Sequence, residues 1–322
     1  MSGTAGGPVR TAAVVGAGTI GLAWTTLFLA HGLDVRVNSR RADAERAVRE
    51  GVELFAATLP GGPADPAELL ERVTVEPDVA KAVAGADVVQ ENLREDLAEK
   101  QKLFAGIEHT APGHALLLSS TSSLRADDIG AGMADPGRLM IGHPFNPAHL
   151  IPLVEIIPGT RTDPDAVTRA LDFYRSLGKT PVAVRGPVTG TVANRLQSAL
   201  FREAVHLVLD GVLTVDELDA VVTGSIGLRW AAVGPFRAFH LGGGPGGLRR
   251  MLEAVGPKMA AEWQHLGTPE LDGPAVELLV EQAEEAFGRG PGAYERLAAG
   301  RDARQLALLA TLNRLASPES SS

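Results

Sequence analysis

The sequence predicts an α/β protein in which a doubly wound, mostly parallel sheet comes first and an all-helical domain follows. Three observations carry that reading. A glycine-rich turn, Gly16-Ala-Gly18-Thr19-Ile20-Gly21, links an apolar run to a helix-periodic one. Short apolar runs then alternate with amphipathic stretches as far as Val184, the order in which crossover helices cover both faces of a parallel sheet. After Gly186 the strand signals vanish and only helical periodicity remains. The expected domains are residues 8–187 and residues 188–316.

Each element has its own signal. Thr11 to Val15 is an apolar strand, the helix after the glycine turn runs to about Ala30, and Leu33 to Val37 is the second strand. Residues 42–58 are helix-periodic, and a Pro/Gly loop from Pro60 to Pro66 leads to a short strand at Arg72 to Val75. Ala86 to Glu91 and Ala115 to Ser119 are further strands, the second running into the hydroxyl-rich turn Ser120-Thr-Ser122-Ser123. Pro164 opens a helix whose apolar positions Val167, Leu171, Tyr174 and Leu177 share a face, and Gly178 ends it. Pro181 to Val184 is the last strand. Thr191 to Asp210 is a long helix, Thr214-Val-Asp-Glu217 is a capping box, and residues 273–287 and 301–316 are amphipathic helices. Gly242 to Gly247 invites a phosphate-loop reading, but no strand precedes it, so it predicts a helix-to-helix turn. Ser317 to Ser322 is expected to be a disordered tail.

Composition narrows the function. A chain of 322 residues with net charge -9 and no Lys/Arg block is a poor partner for nucleic acid or an anionic membrane. The absence of Cys excludes disulfides and thiolate zinc sites, and it fits a cytoplasmic protein without a metal centre. No apolar run approaches the ~20 residues of a membrane span, and Met1 to Arg10 lacks the pattern of a signal peptide. A small-molecule substrate is the remaining expectation.

Two stretches carry the chemistry. Gly16, Gly18 and Gly21 follow a strand and open a helix, as a dinucleotide-binding turn requires: one permits the turn, one admits the pyrophosphate, one lets helix pack on strand. The second strand then ends in Val37-Asn38-Ser39-Arg40-Arg41. With no acid to repel a 2'-phosphate, and a hydroxyl and two guanidiniums to bind one, the reading is NADPH, with NADH, served by the Asn38 amide, as the alternative. In the second stretch, His143 ends the run Leu139 to Gly142 and Glu155 interrupts the run Leu153 to Ile157, with a Pro/Asn/His loop between them. If the runs pair, the carboxylate meets the imidazole, fixes its tautomer and frees the other nitrogen for proton transfer. Otherwise they are a surface-loop His and an edge-strand Glu that never meet.

These motifs, with Ser120-Thr-Ser122-Ser-Leu, Pro152-Leu-Val-Glu155 and Ala193-Asn194-Arg195-Leu, resemble the 3-hydroxyacyl-CoA dehydrogenase family over nearly the whole chain, including its L-gulonate 3-dehydrogenase and carnitine dehydrogenase relatives. The resemblance implies an N-terminal Rossmann domain and a homodimer formed through the helical half. It makes His143 the acid/base, held as imidazolium by Glu155, with Ser122 and Asn194 positioning the substrate oxygen. It places Glu95 and Lys100 near the nicotinamide ribose and phosphates, although a solvated face explains those two equally. Ser122 as a turn cap and Asn194 as a helix cap are the structural alternatives. Few cations between residues 42 and 85 (Arg46, Arg49, Arg72, Lys81) argue against a CoA ester. Asn38-Ser-Arg-Arg, Gly227-Leu-Arg-Trp230, Gly234-Pro-Phe236 and His240 to Gly247 look most like the branch that reduces β-keto acids in aromatic (benzoisochromanequinone) polyketide antibiotic pathways. Alternatives are an NAD-linked 3-hydroxyacyl-CoA, L-gulonate or carnitine 3-dehydrogenase, or a catalytically silent crystallin-like binding protein.

Overall fold

A computed structural model describes residues 9–186 and 190–316. The expected 187/188 boundary touches residues outside that description, as does the tail at Ser317 to Ser322. The chain divides into two compact units, one reaching Val192 and including Gln305–Ala310, the other Ala193–Arg304 and the residues from Thr311.

The first unit is the predicted sheet. Its elements run β1 (Thr11–Val15), α1 (Thr19–Ala30), β2 (Asp34–Asn38), α2 (Ala44–Ala56), α3 (Pro66–Leu70), β3 (Val73–Glu76), α4 (Val79–Val83), β4 (Val88–Glu91), α5 (Leu97–Ile107), β5 (Leu116–Ser119), α6 (Ala126–Ile129), β6 (Leu139–Pro144), β7 (Leu153–Pro158), α7 (Pro164–Ser176) and β8 (Thr180–Ala183). The strand order is β3-β2-β1-β4-β5-β6-β7-β8. Every pairing is parallel except β6 with β7. The chain winds outward from β1 to β3, then returns to start β4 on β1's other side. A crevice therefore opens at the ends of β1 and β4, where the chain leaves the two paired strands in opposite directions, the place where such sheets take their ligands.

Continuous apolar strands explain the layering. β4 and β5 are buried at every position, as strands covered on both faces must be. On one face Trp24, Phe28, Phe173 and Tyr174 form a ring cluster with centroids 5.1–5.6 Å apart. Each such buried ring contributes roughly 1.5–3 kcal/mol. In α7 the buried stripe is Ala166, Ala170, Phe173, Tyr174 and Leu177. The predicted Val167 and Leu171 sit at its margin, because a 3.6-residue period seats the larger rings at 173 and 174 and turns the helix accordingly.

The second unit contains α8 (Val192–Leu209) from Ala193 on, α9 (Val215–Gly224), α10 (Ile226–Val233), α11 (Pro235–Gly242), α12 (Gly247–Glu262), α13 (Gly273–Phe287) and α14 (Gly290–Ala316) apart from Gln305–Ala310. It contains no strand among the described residues. Thr214 and Glu217 make the predicted capping box, and Gly244–Gly246 is the short turn between α11 and α12. The last helix begins at Gly290, eleven residues before the periodicity suggested. Among the described residues no helix is long and apolar enough to cross a membrane.

Candidate active site

The glycine turn lies at the end of β1, on the lip of the crevice. Gly16 has φ +103° and its amide donates to Asn38 O at 2.9 Å. A Cβ at Gly16 would stand 2.9 Å from Asn92 O, and one at Gly21 would collide with Gly16 O. These two glycines exist so that β1, β4 and α1 can pack. Gly18 differs, since a Cβ there would meet nothing within 4 Å. It sits at the start of α1, where no side chain caps the free amides and Thr19 and Ile20 form the first turn. Open ground before uncapped helix amides suits a pyrophosphate, so the residues present fit a dinucleotide.

The adenosine end of the crevice is less basic than its sequence. Asn38 is buried, and its amide nitrogen donates to Glu76 O (2.8 Å) and Pro77 O (3.1 Å). Arg41 forms a two-pronged pair with Asp43 at 2.9 and 2.8 Å, and Arg46 meets the same carboxylate. Only Ser39 and Arg40 remain for a 2'-phosphate. Arg40 makes no hydrogen bond or ion pair among the described residues.

His143 ends β6 directly opposite Glu155 of β7 in the antiparallel register. Directly opposed side chains share a face, and here Nδ1 lies 3.2 Å from Glu155 Oε2 with both residues buried. The Val192 amide donates to the other carboxylate oxygen at 2.8 Å. The loop between the two strands is also tied down. Lys179 donates to Ala148 O (2.6 Å) and Ile151 O (2.8 Å), and His149 packs at a tilt against Phe55 and bonds Thr58. One expectation fails: burial lowers the His143 pKa despite the opposing pull of Glu155 and Glu95. Desolvation disfavours the charged form, which favours the neutral ring over the imidazolium that a neighbouring carboxylate alone suggests. With Nδ1–H directed at Glu155, Nε2 carries the lone pair.

Glu95 and Ser122 are joined. Glu95 Oε1 accepts from the Ser122 amide (2.7 Å) and hydroxyl (3.2 Å), and Oε2 accepts from Thr121 Oγ1 at 2.6 Å. Burial would raise the Glu95 pKa, but these bonds and Lys100 outweigh it and hold the group ionised. A hydroxyl has one proton, so Ser122 as arranged presents its lone pairs, not its proton, to a ligand. Lys100 is not on a solvated face. It is 1% exposed, 2.6 Å from the buried Glu91 carboxylate and 3.2 Å from Leu93 O. Reaching a cofactor phosphate would require that pair to open. Asn194 is the third residue of α8, inside the helix and past its capping position.

Sequence reasoning missed a supporting network. Tyr174 OH donates to Gln90 Oε1 (2.6 Å), Gln90 Nε2 to Ser120 Oγ (2.9 Å), and Ser120 Oγ to Asn92 Oδ1 (2.7 Å). Its one legible signal was a Gln-Glu pair closing an otherwise apolar strand. Among the described residues no cluster of His, Asp and Glu could hold a metal ion.

Residues 11–187 match the 3-hydroxyacyl-CoA dehydrogenase NAD-binding domain, and residues 190–269 match the C-terminal domain of the same family. The chain is 44% identical to an L-carnitine dehydrogenase of Streptomyces griseus, over 86% of this chain and 83% of that one. It is 41% identical to an L-carnitine dehydrogenase of Streptomyces coelicolor, over 97% and 98%. Among solved structures it is similar to a 5-formyl-3-hydroxy-2-methylpyridine 4-carboxylic acid 5-dehydrogenase, described as an NAD+-dependent dismutase. That similarity has a TM-score of 0.80 and 28% identity, covering 95% of this chain and 99% of that one.

Proposed function

The chain belongs to the 3-hydroxyacyl-CoA dehydrogenase family of NAD-dependent enzymes, and from that premise we propose that it oxidises the 3-hydroxyl of a small free carboxylic acid such as L-carnitine to the 3-keto acid. The carrying observation is the buried His143–Glu155 pair, in which a neutral imidazole offers Nε2 as a base. Bound NAD+ supplies the hydride acceptor. His143 takes the hydroxyl proton, and Glu155, itself held by Val192, keeps the ring oriented and steadies the imidazolium that forms. Glu95 fixes the turn that carries Ser122. Asn194 is proposed as a donor to the substrate oxygen.

Relatives named for carnitine favour a small free acid of that kind over the aromatic polyketide acid that Asn38-Ser-Arg-Arg and the helical-half motifs suggested. NAD(H) likewise replaces NADPH as the proposed cofactor, because residues 11–187 match an NAD-binding domain and Arg41 is already paired with Asp43. The helical unit is proposed to pair with a second copy. α9, α10, α11 and α13 contain no buried residue, while Phe201, Phe236, Trp263 and Tyr294 are 61–78% exposed. Light scattering would read the mass of one chain if that is wrong.

The test is NADH formation with L-carnitine and with 3-hydroxybutyrate. Turnover that falls by ~10²–10⁴-fold in His143→Ala supports the reading. His143→Ala within tenfold of the parent protein, or no turnover of any 3-hydroxy acid, overturns it.

A further inference from the structure

A cavity of about 460 Å³ lies beside the catalytic pair, wholly within the first unit. Its floor includes Ile141 and Ile157, which face each other across β6 and β7. His143 and Glu155 are the next pair but one in the same register. Side chains two residues apart on a strand share a face, so the cavity continues the surface that carries the dyad, about 6.6 Å along it at ~3.3 Å per residue. Ser122 stands in its wall.

The lining is mostly apolar, and its charged side chains, Arg125, Arg185 and Asp127, carry an excess positive charge. Asp127 is already engaged, accepting from Thr160 N (2.7 Å) and Oγ1 (2.9 Å) and pairing with Arg125 at 3.3 Å. Arg185 also lines the cavity, and its guanidinium has no hydrogen-bond or ion-pair partner among the described residues. Thr191, 1% exposed, completes the wall, and its hydroxyl has no hydrogen-bond partner among the described residues. A buried hydroxyl left without a partner is destabilising, and a ligand acceptor would remove that penalty. No aromatic ring lines the space and its one carboxylate is committed, so it is unsuited to a quaternary ammonium, which takes aromatic faces or free acids.

We propose that this cavity is the carboxylate subsite of the enzyme, with Arg185 as the charged anchor and the Thr191 hydroxyl as a second donor. The proposal rests on the reading of the chain as a 3-hydroxy acid dehydrogenase. It fixes the direction in which the substrate lies. The carboxylate enters the cavity while the carbinol stays at His143 Nε2, and the substituent beyond the carbinol points away from Arg185. Carnitine would bind acid end first, its ammonium outside. A CoA thioester, having no carboxylate there, would leave Arg185 unpaired.

The experiment is calorimetric titration of the full chain, with and without NADH, using 3-hydroxybutyrate and its methyl ester as probes. The free acid is expected to bind at least tenfold more tightly than the ester. Arg185→Met should weaken the acid by at least tenfold and leave the ester within twofold, removing the preference. A loss of less than twofold, an equal loss for acid and ester, or no saturable binding of the acid at millimolar concentrations overturns the proposal. Thr191→Val separates a ligand donor from a merely stranded hydroxyl. Weaker binding of the acid supports the donor, whereas a higher unfolding midpoint with unchanged affinity removes Thr191 from the subsite. Binding that depends on Arg185 in a protein that forms no NADH from any 3-hydroxy acid would reject the oxidation reading and keep the subsite.

Discussion

Lys100 and Glu91 lie 2.6 Å apart, 1% and 0% exposed, at the point where β4 ends and the chain turns toward Glu95. The Glu91 carboxylate also takes Ser119 Oγ and the Leu93 amide, each at 2.5 Å. One buried charge pair thus ties the ends of β4 and β5 to the first turns of α5. It stands underneath the carboxylate that holds Ser122.

Removing one partner of this pair should be severe. Lys100→Met leaves the Glu91 carboxylate buried with its cation gone and is expected to cost about 3–5 kcal/mol, read from urea denaturation. Lys100→Met with Glu91→Gln should recover a large part of that loss. Equal stability of the single and double variants would show that the pair is not coupled.

The three glycines of the turn should separate by role. Gly21→Ala places a methyl group against Gly16 O and is expected to destabilise the first unit or prevent its folding. Gly18→Ala meets open space with no positive φ, so its melting temperature should stay close to that of the parent. Dinucleotide affinity should nevertheless fall at least tenfold, because the methyl group occupies the ground left for pyrophosphate. Fluorescence titration with NADH checks it.

The pH dependence of oxidation should report the lowered His143 pKa. A base works in its deprotonated form, so kcat/KM should rise with pH along a limb whose midpoint lies below the ordinary histidine value of about 6.5. In Glu155→Gln the group that raises this pKa is weakened, so any residual activity should show its acid limb at still lower pH. A limb that moves upward would contradict the assignment.

Burial brings Lys179 down to about 7, far below the usual ammonium value. Between the two values the folded state binds fewer protons than the unfolded chain, so stability rises with pH through that window. Below pH 7 the desolvation penalty is fully present, and it is relieved as pH climbs. From pH 7 to 9 the parent should gain on the order of 2 kcal/mol relative to Lys179→Met, measured by denaturant unfolding. A flat difference would mean that the ammonium keeps its charge through its bonds to Ala148 O and Ile151 O.

Arg40 is the test of cofactor choice. With Arg41 held by Asp43, Arg40→Ala should change the NADH affinity little. It should also remove whatever NADPH binding the parent has, which titration of both nucleotides measures.

Sequence alone was enough for the order of the strands, the glycine turn, the change from sheet to helices and the Thr214–Glu217 capping box. All of these depend on local periodicity and on backbone demands that only certain residues meet. It also brought His143 and Glu155 forward as a pair, since two apolar runs around a short loop favour adjacent strands. The tertiary structure decided everything that depends on burial and on distant partners. Desolvation outweighed the carboxylate at His143, Glu91 took Lys100 out of reach of the crevice, and Asp43 neutralised Arg41. A side chain's charge and availability are set by the dielectric and the neighbours that packing brings to it, and neither is written in the spacing of residues along the chain.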